Sequence, residues 1–185
     1  KIIGVMMSDI RTLHHAEGAY FIEQQLRQYG YNCIMINSGF TTASREEGIR
    51  TLAARRAEAV VLIGSTFQSD DIKHMISEYL SDFPIIIENG YIDLPNVYGV
   101  LADEKNGISQ CVRLLRGKGK KNLVFINRQD TPSNRQKIEG FCEEEKKINP
   151  DVEPHVIWID GEDEWKSSYK ATQELMKEYP DTDGI

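Results

Sequence analysis

The chain has 185 residues, 40% of them hydrophobic and 28% charged, with a formal net charge of -7. That is enough apolar material for a sizeable core in one large or two small domains. The acidic balance argues against nucleic-acid binding by this segment itself. No apolar stretch approaches the roughly 20 residues needed to span a bilayer, and no signal-peptide pattern opens the chain at Lys1.

Lys1 to Ser8 (KIIGVMMS) is a near-continuous apolar run, as are Cys33 to Ile36, Ala59 to Ile63 and Pro84 to Ile87. Such runs predict parallel strands covered on both faces by helices. Between them Ile22, Leu26 and Tyr29, then Ile49, Leu52 and Ala53, fall at helical spacing. Ile72, Met75, Ile76, Tyr79 and Leu80 form the cleanest helical stripe in the chain. Gly30 stands where a helix C-cap belongs, Ser44 with Glu47 suggests a capping box, and Ser69 with Asp70 and Asp71 suggests a helix start.

The rhythm breaks once, at Asn89 to Asn96 (NGYIDLPN), which joins two apolar runs without a helical pattern. A parallel neighbour needs a crossover of about a dozen residues, usually helical, so the chain is expected to leave one sheet here and enter another. The unit then restarts. Val97 to Leu101, Asn122 to Ile126 and Val156 to Ile159 read as strands. Helix faces follow at Ile108, Val112 and Leu115, at Ile138, Phe141 and Cys142, and at Tyr169, Thr172, Leu175 and Met176. The expected fold class is α/β, with two Rossmann-like parallel-sheet subdomains, 1–96 and 97–185, the second incomplete. The Pro-Asp-Thr-Asp-Gly turn before Ile185 should feed another strand, so a longer natural protein is expected.

Catalytic signatures are missing from the sequence: no GxGxxG after the first strand, no phosphate-binding GxxxxGK[ST], and no second glycine around Ser65 for a nucleophile elbow. No cofactor is expected. His14 and His15 are adjacent on a helix start and diverge by about 100 degrees, which suits a polar helix entrance better than a shared metal. No metal site is expected. Cys33, Cys111 and Cys142 lack metal spacing and read as buried free thiols. The basic run Arg116 to Lys121 reads as a solvated turn, and Glu162, Asp163 and Glu164 as a solvated helix start.

In open parallel sheets, ligands bind beyond the carboxyl ends of the strands. The polar residues expected there are Ser8, Asp9 and Arg11, then Ser65 and Thr66, then Glu88 and Asn89. The second unit adds Asp103 and Glu104, the stretch from Asn127 to Lys137, and the stretch from Asp160 to Trp165. For each alone, a cap, turn or solvated loop is at least as good an account.

IIGVMMSDI, VYGVLADEKNGI, GKKNLVFI and SNRQKIEGF occur in an order and spacing that resembles the effector domains of lac-repressor-type (LacI/GalR) bacterial transcription regulators. The likeness runs over essentially the whole chain. Their fold is shared with periplasmic sugar-binding proteins. The resemblance implies two α/β subdomains flanking a small-molecule cleft, a DNA-binding helix-turn-helix upstream, and a homodimer formed through the effector domain. It implies a cytoplasmic, non-enzymatic protein that meets DNA only through a domain missing from this chain.

Asp103 matches the acidic position of the family's Asp-Asn-x-x-Gly pattern, with Glu104 where Asn is usual. Glu88 sits at a strand end where Asp is common, and Lys137 stands where a ligand-binding Arg is frequent, with Arg135 two residues earlier. The loop IRTLHH lacks the usual Asn-Pro. The ligand-binding set is therefore Asp9, Arg11, Ser65, Glu88, Asp103, Arg135, Lys137 and Trp165. Carboxylates and basic groups of this kind suit a sugar or sugar derivative, and Arg11, Arg135 and Lys137 would also tolerate an anionic one. Trp165 is as readily explained by packing on its own helix. A secreted sugar-binding receptor for a transporter and an enzyme built on the same strand ends remain the rival readings.

Overall fold

The computed structural model describes residues 1–159 and 164–185. Its elements run β1 (Ile2–Met7), α1 (Leu13–Gln28), β2 (Asn32–Asn37), α2 (Thr42–Ala54), β3 (Ala59–Ile63), a 3-10 turn (Ser65–Phe67), α3 (Asp70–Tyr79), β4 (Ile85–Glu88) and β5 (Val97–Val100). The chain continues through α4 (Glu104–Gly117), β6 (Val124–Asn127), α5 (Pro132–Ile148), β7 (His155–Trp158) and α6 (Glu164–Glu178). It divides into two compact units, Lys1–Ala102 and Asp103–Ile185.

The first unit is a five-stranded parallel sheet in the order β2-β1-β3-β4-β5. Alternation along the strands sorts its side chains to two faces. Met6, Val60, Leu62, Ile85, Ile87 and Val97 pack with Ile49 and Leu52 of α2 and with Ile72, Met75 and Ile76 of α3. Ile3, Val5, Met7, Val61 and Ile63 pack with Ala19, Ile22 and Leu26 of α1. The helical stripe Ile72, Met75, Ile76 and Leu80 is thus spent on its own sheet, at 6% exposure or less, and is not available to a second subunit.

The expected change of sheet at Asn89–Asn96 is corrected: β5 pairs in parallel with β4, Ile85 against Val97 through Glu88 against Val100. The crossover needs no helix. Returning past four paired residues means covering about 13 Å, while eight extended residues reach about 26 Å. Asn89 turns the chain with a φ of 57°. Ile92 and Leu94 then lie on the α3 face of the sheet, and the Asn96 side-chain amide donates to the carbonyls of Leu80 and Phe83.

Two expected ends are also revised or sharpened. α2 is capped by Thr41, whose hydroxyl accepts from the Ser44 backbone N–H, so Ser44 is inside the helix and not its cap. At the end of α1, Gly30 has a φ of 78°; its N–H reaches the Arg27 carbonyl, and that of Tyr31 reaches the Leu26 carbonyl, closing a Schellman motif. Ser69 caps α3 as expected.

In the second unit β6 and β7 pair in parallel, and Leu123 forms a parallel bridge with Gly184 on the other side of β6. Val112, Leu123 and Phe141 make its core with Ile108, Leu115, Phe125 and Val156 around them. α4 and α5 cross closely at Gly140, where a Cβ would stand 2.2 Å from the Lys105 carbonyl oxygen. Arg116 corrects the reading of the basic run as a solvated turn. Its guanidinium pairs with Glu145, which is 2% exposed, and donates to the Lys121 carbonyl. Cys111 is exposed, not buried, because it lies on the outer face of α4; Cys33 and Cys142 are half-buried, and burial raises both their pKa values.

Candidate functional site

The strand order places β1 between β2 and β3, so the crossovers leave β1 on opposite sides and open a crevice at the carboxyl ends of β1 and β3. Ser8 and Asp9 follow β1, Ser65 and Thr66 follow β3, and Glu88 ends β4. The Ser8 and Thr66 hydroxyls are 3.0 Å apart, joining the first two strand ends. Ser8 and Ser65 are buried, at 1% and 7% exposure.

Asp9 is gripped by Arg11. The Arg11 backbone N–H donates to Asp9 Oδ1 at 2.9 Å, and its Nε and Nη2 reach the two carboxylate oxygens at 3.0 and 2.8 Å. These charge-assisted bonds hold the Asp9 carboxyl at about 2 and raise the Arg11 guanidinium. Glu88 meets His14, whose Nε2 lies 3.1 and 3.2 Å from its two carboxylate oxygens. His15 turns the other way and is buried; its Nδ1 donates to the Asp9 carbonyl at 3.0 Å. The opposite ring nitrogen faces Gly64, where a Cβ would come within 2.7 Å of it, so the turn after β3 rests on His15. The divergence expected for the two histidines is present, with each assigned to a different partner. Among the described residues no group of His, Cys, Asp or Glu is arranged to hold a metal.

The second unit assembles its own set where α4 and α5 begin. Asp103 is the N-cap of α4, its Oδ1 accepting from the Asn106 N–H. Glu104 accepts from the Ser133 hydroxyl at 2.5 Å and pairs with Lys137 at 3.3 Å. Arg135 is turned to Asp130, with Nε and Nη2 on its two oxygens at 2.5 and 2.9 Å, which lowers the Asp130 carboxyl and raises the guanidinium. Trp165 stacks on Tyr169 at 5.5 Å and stays 72% exposed, packing on its own helix. The candidates Asp160, Glu162 and Asp163 lie outside the described residues, as does the side chain of Glu164.

Asp9, Arg11, Ser65 and Glu88 therefore converge at the strand ends of the first unit, and Asp103 and Lys137 flank Glu104 in the second. Arg135 and Trp165 are engaged by neighbours of their own. His14 was not among the expected site residues, and Ser133 lay in the expected stretch from Asn127 to Lys137 without being singled out. Ser133 sits four residues before Lys137 on α5, a spacing that puts both on one face. His14 carries no such local signal, because Glu88 is 74 residues away.

The family described as periplasmic binding proteins and sugar binding domain of LacI family matches residues 1–185. The chain belongs to that family, and the likeness to LacI/GalR-type effector domains read from the sequence is borne out. It is 29% identical over 143 residues to an HTH-type transcriptional regulator of Lachnoclostridium phytofermentans, covering 76% of this chain and 43% of that one. Among solved structures, a LacI family transcriptional regulator from Silicibacter pomeroyi superposes with a TM-score of 0.79 at 20% identity, covering 99% of this chain and 67% of that one. A periplasmic binding protein/LacI transcriptional regulator from Alkaliphilus metalliredigens, complexed with D-xylulofuranose, superposes at 0.72 with 19% identity, covering 90% and 59%. The chain spans about half the length of the curated relatives it matches, among them an HTH-type transcriptional regulator and an HTH-type transcriptional repressor. No helix among the described residues is long and apolar enough to cross a membrane.

Proposed function

We propose that this chain is the sensing domain of a cytoplasmic LacI-type transcription regulator that binds a small sugar-like effector and performs no chemistry on it. The observation that carries the reading is the placement of Asp9, Ser65 and Glu88 at the carboxyl ends of β1, β3 and β4, the edge where this strand order receives ligands. The proposed contacts are Asp9, Arg11, Ser65 and Glu88 from the first unit and Asp103, Arg135, Lys137 and Trp165 from the second. Carboxylates accept from sugar hydroxyls, while Arg, Lys and Ser donate to ring and hydroxyl oxygens.

In this reading the effector acts by binding one arrangement of the protein better than another, and the difference biases an upstream helix-turn-helix in a homodimer. A calorimetric screen of pentoses, hexoses and polyols is the test. Saturable binding without turnover, weakened in Asp9→Ala and Glu88→Ala, is expected; turnover of a bound sugar would replace the sensor with an enzyme. The family also holds periplasmic binding proteins, and a secreted sugar-binding receptor is the rival reading. The codons upstream of Lys1 separate the two: a helix-turn-helix supports the regulator, a signal peptide the receptor.

A further inference from the structure

Each basic side chain among the proposed contacts already has a carboxylate of its own unit: Arg11 has Asp9, and in the second unit Lys137 has Glu104 and Arg135 has Asp130. His14, the imidazole at the same strand ends, has Glu88. We propose, resting on the sensor reading above, that the effector is an uncharged polyhydroxylated molecule and that its phosphorylated or carboxylated relatives are rejected.

Charge decides between the two kinds of ligand. A phosphate taken up by the remaining N–H donors of Arg11 would stand beside the Asp9 carboxylate that the same guanidinium already neutralises. The first turn of α1 offers no better place. Its N-cap Thr12 makes no side-chain cap, which leaves amide donors and a positive helix end, but Glu88 is already drawn to that turn through His14. Asp9 lies just before the same helix, so two carboxylates already border that turn. A hydroxyl group has no such difficulty. It can donate to a remaining carboxylate lone pair while accepting from a neighbouring basic N–H, leaving every ion pair intact.

Calorimetric titrations of the intact protein with ribose, xylose and glucose, with their terminal phosphate esters, and with inorganic phosphate test this. The expected result is a free sugar favoured over its ester by about tenfold or more, with an affinity that changes less than about twofold between low and high salt. Inorganic phosphate is expected not to saturate the wild type, and to bind Asp9→Asn, in which Arg11 is released. An ester that binds more tightly than its parent sugar overturns the inference and leaves the sensor reading standing. So does saturable phosphate binding by the wild type that disappears in Arg11→Ala, or an Asp9→Asn variant that takes no phosphate. Failure of every sugar, free or esterified, removes the sensor reading and this inference together.

Discussion

Gly99 of β5 lies directly beneath the carbonyl of Gly90: a Cβ added to Gly99 would stand 2.8 Å from that oxygen and 3.1 Å from the Tyr91 Cβ. The close approach is what lets the crossover from β4 run flat across the sheet. Because the obstructing atom is backbone, Gly99→Ala is expected to destabilise the first unit by about 1 to 3 kcal/mol. Gly107, in α4, meets nothing within 4 Å and serves as the contrast. Gly107→Ala is expected to stabilise by about 0.5 to 1 kcal/mol. Urea denaturation of both variants checks the pair, and equal effects would remove the packing argument.

That same contact explains what could be read in advance. β1 and β3 were legible because strands buried on both faces become continuous apolar runs, and α3 because its whole stripe meets one sheet. The sheet to which β5 belongs was not. It depends on Ile92 and Leu94 lying down as an extended segment, and on two glycines touching through space, neither of which has a period. The polar site was half legible for a related reason. Asp9 and Glu88 are placed by strand ends, which sequence reveals, whereas His14 on Glu88 and Glu104 beside Lys137 depend on tertiary packing such as the backbone contact at Gly140.

Arg116 and Glu145 should dominate the stability of the second unit. Glu145 is 2% exposed, so removing its partner leaves a buried carboxylate without compensation. Arg116→Ala is expected to cost about 3 kcal/mol or more. Arg135 and Asp130 are both more than half exposed, and Arg135→Ala is expected to change stability by less than about 1 kcal/mol. Thermal and urea unfolding of the two variants test the ranking; a larger loss in Arg135→Ala would contradict it.

Asp103 has two separable roles. As the N-cap of α4 it accepts the Asn106 N–H, and Asp103→Ala is expected to lower stability by about 1 kcal/mol. Asp103→Asn keeps a capping oxygen and should recover most of that loss. If Asp103 also accepts from an effector hydroxyl, both substitutions weaken binding, and Asp103→Ala does so by about 1.5 to 3 kcal/mol. Calorimetry with the sugar found by the screen separates the roles: unchanged affinity in both variants would leave Asp103 a helix cap alone.

The grip of Arg11 on Asp9 fixes how the site responds to acid. The Asp9 carboxyl is held at about 2 in the folded chain, below the usual range of about 3.9 for an unfolded aspartate. A depressed carboxylate contributes stability that is fully present above its unfolded pKa, and the contribution is lost as pH falls through the folded value. The stability contributed by the Asp9–Arg11 pair should therefore be complete at pH 5 and be lost between about pH 4 and 2. Carbon-13 NMR of the aspartate carboxyls reads this directly. The Asp9 resonance is expected to titrate last among the exposed aspartates, and to move up toward the ordinary range in Arg11→Ala, where the three N–H donors of Arg11 are reduced to its backbone amide. An Asp9 midpoint that stays the same in the variant would show that Arg11 is not what holds the carboxylate.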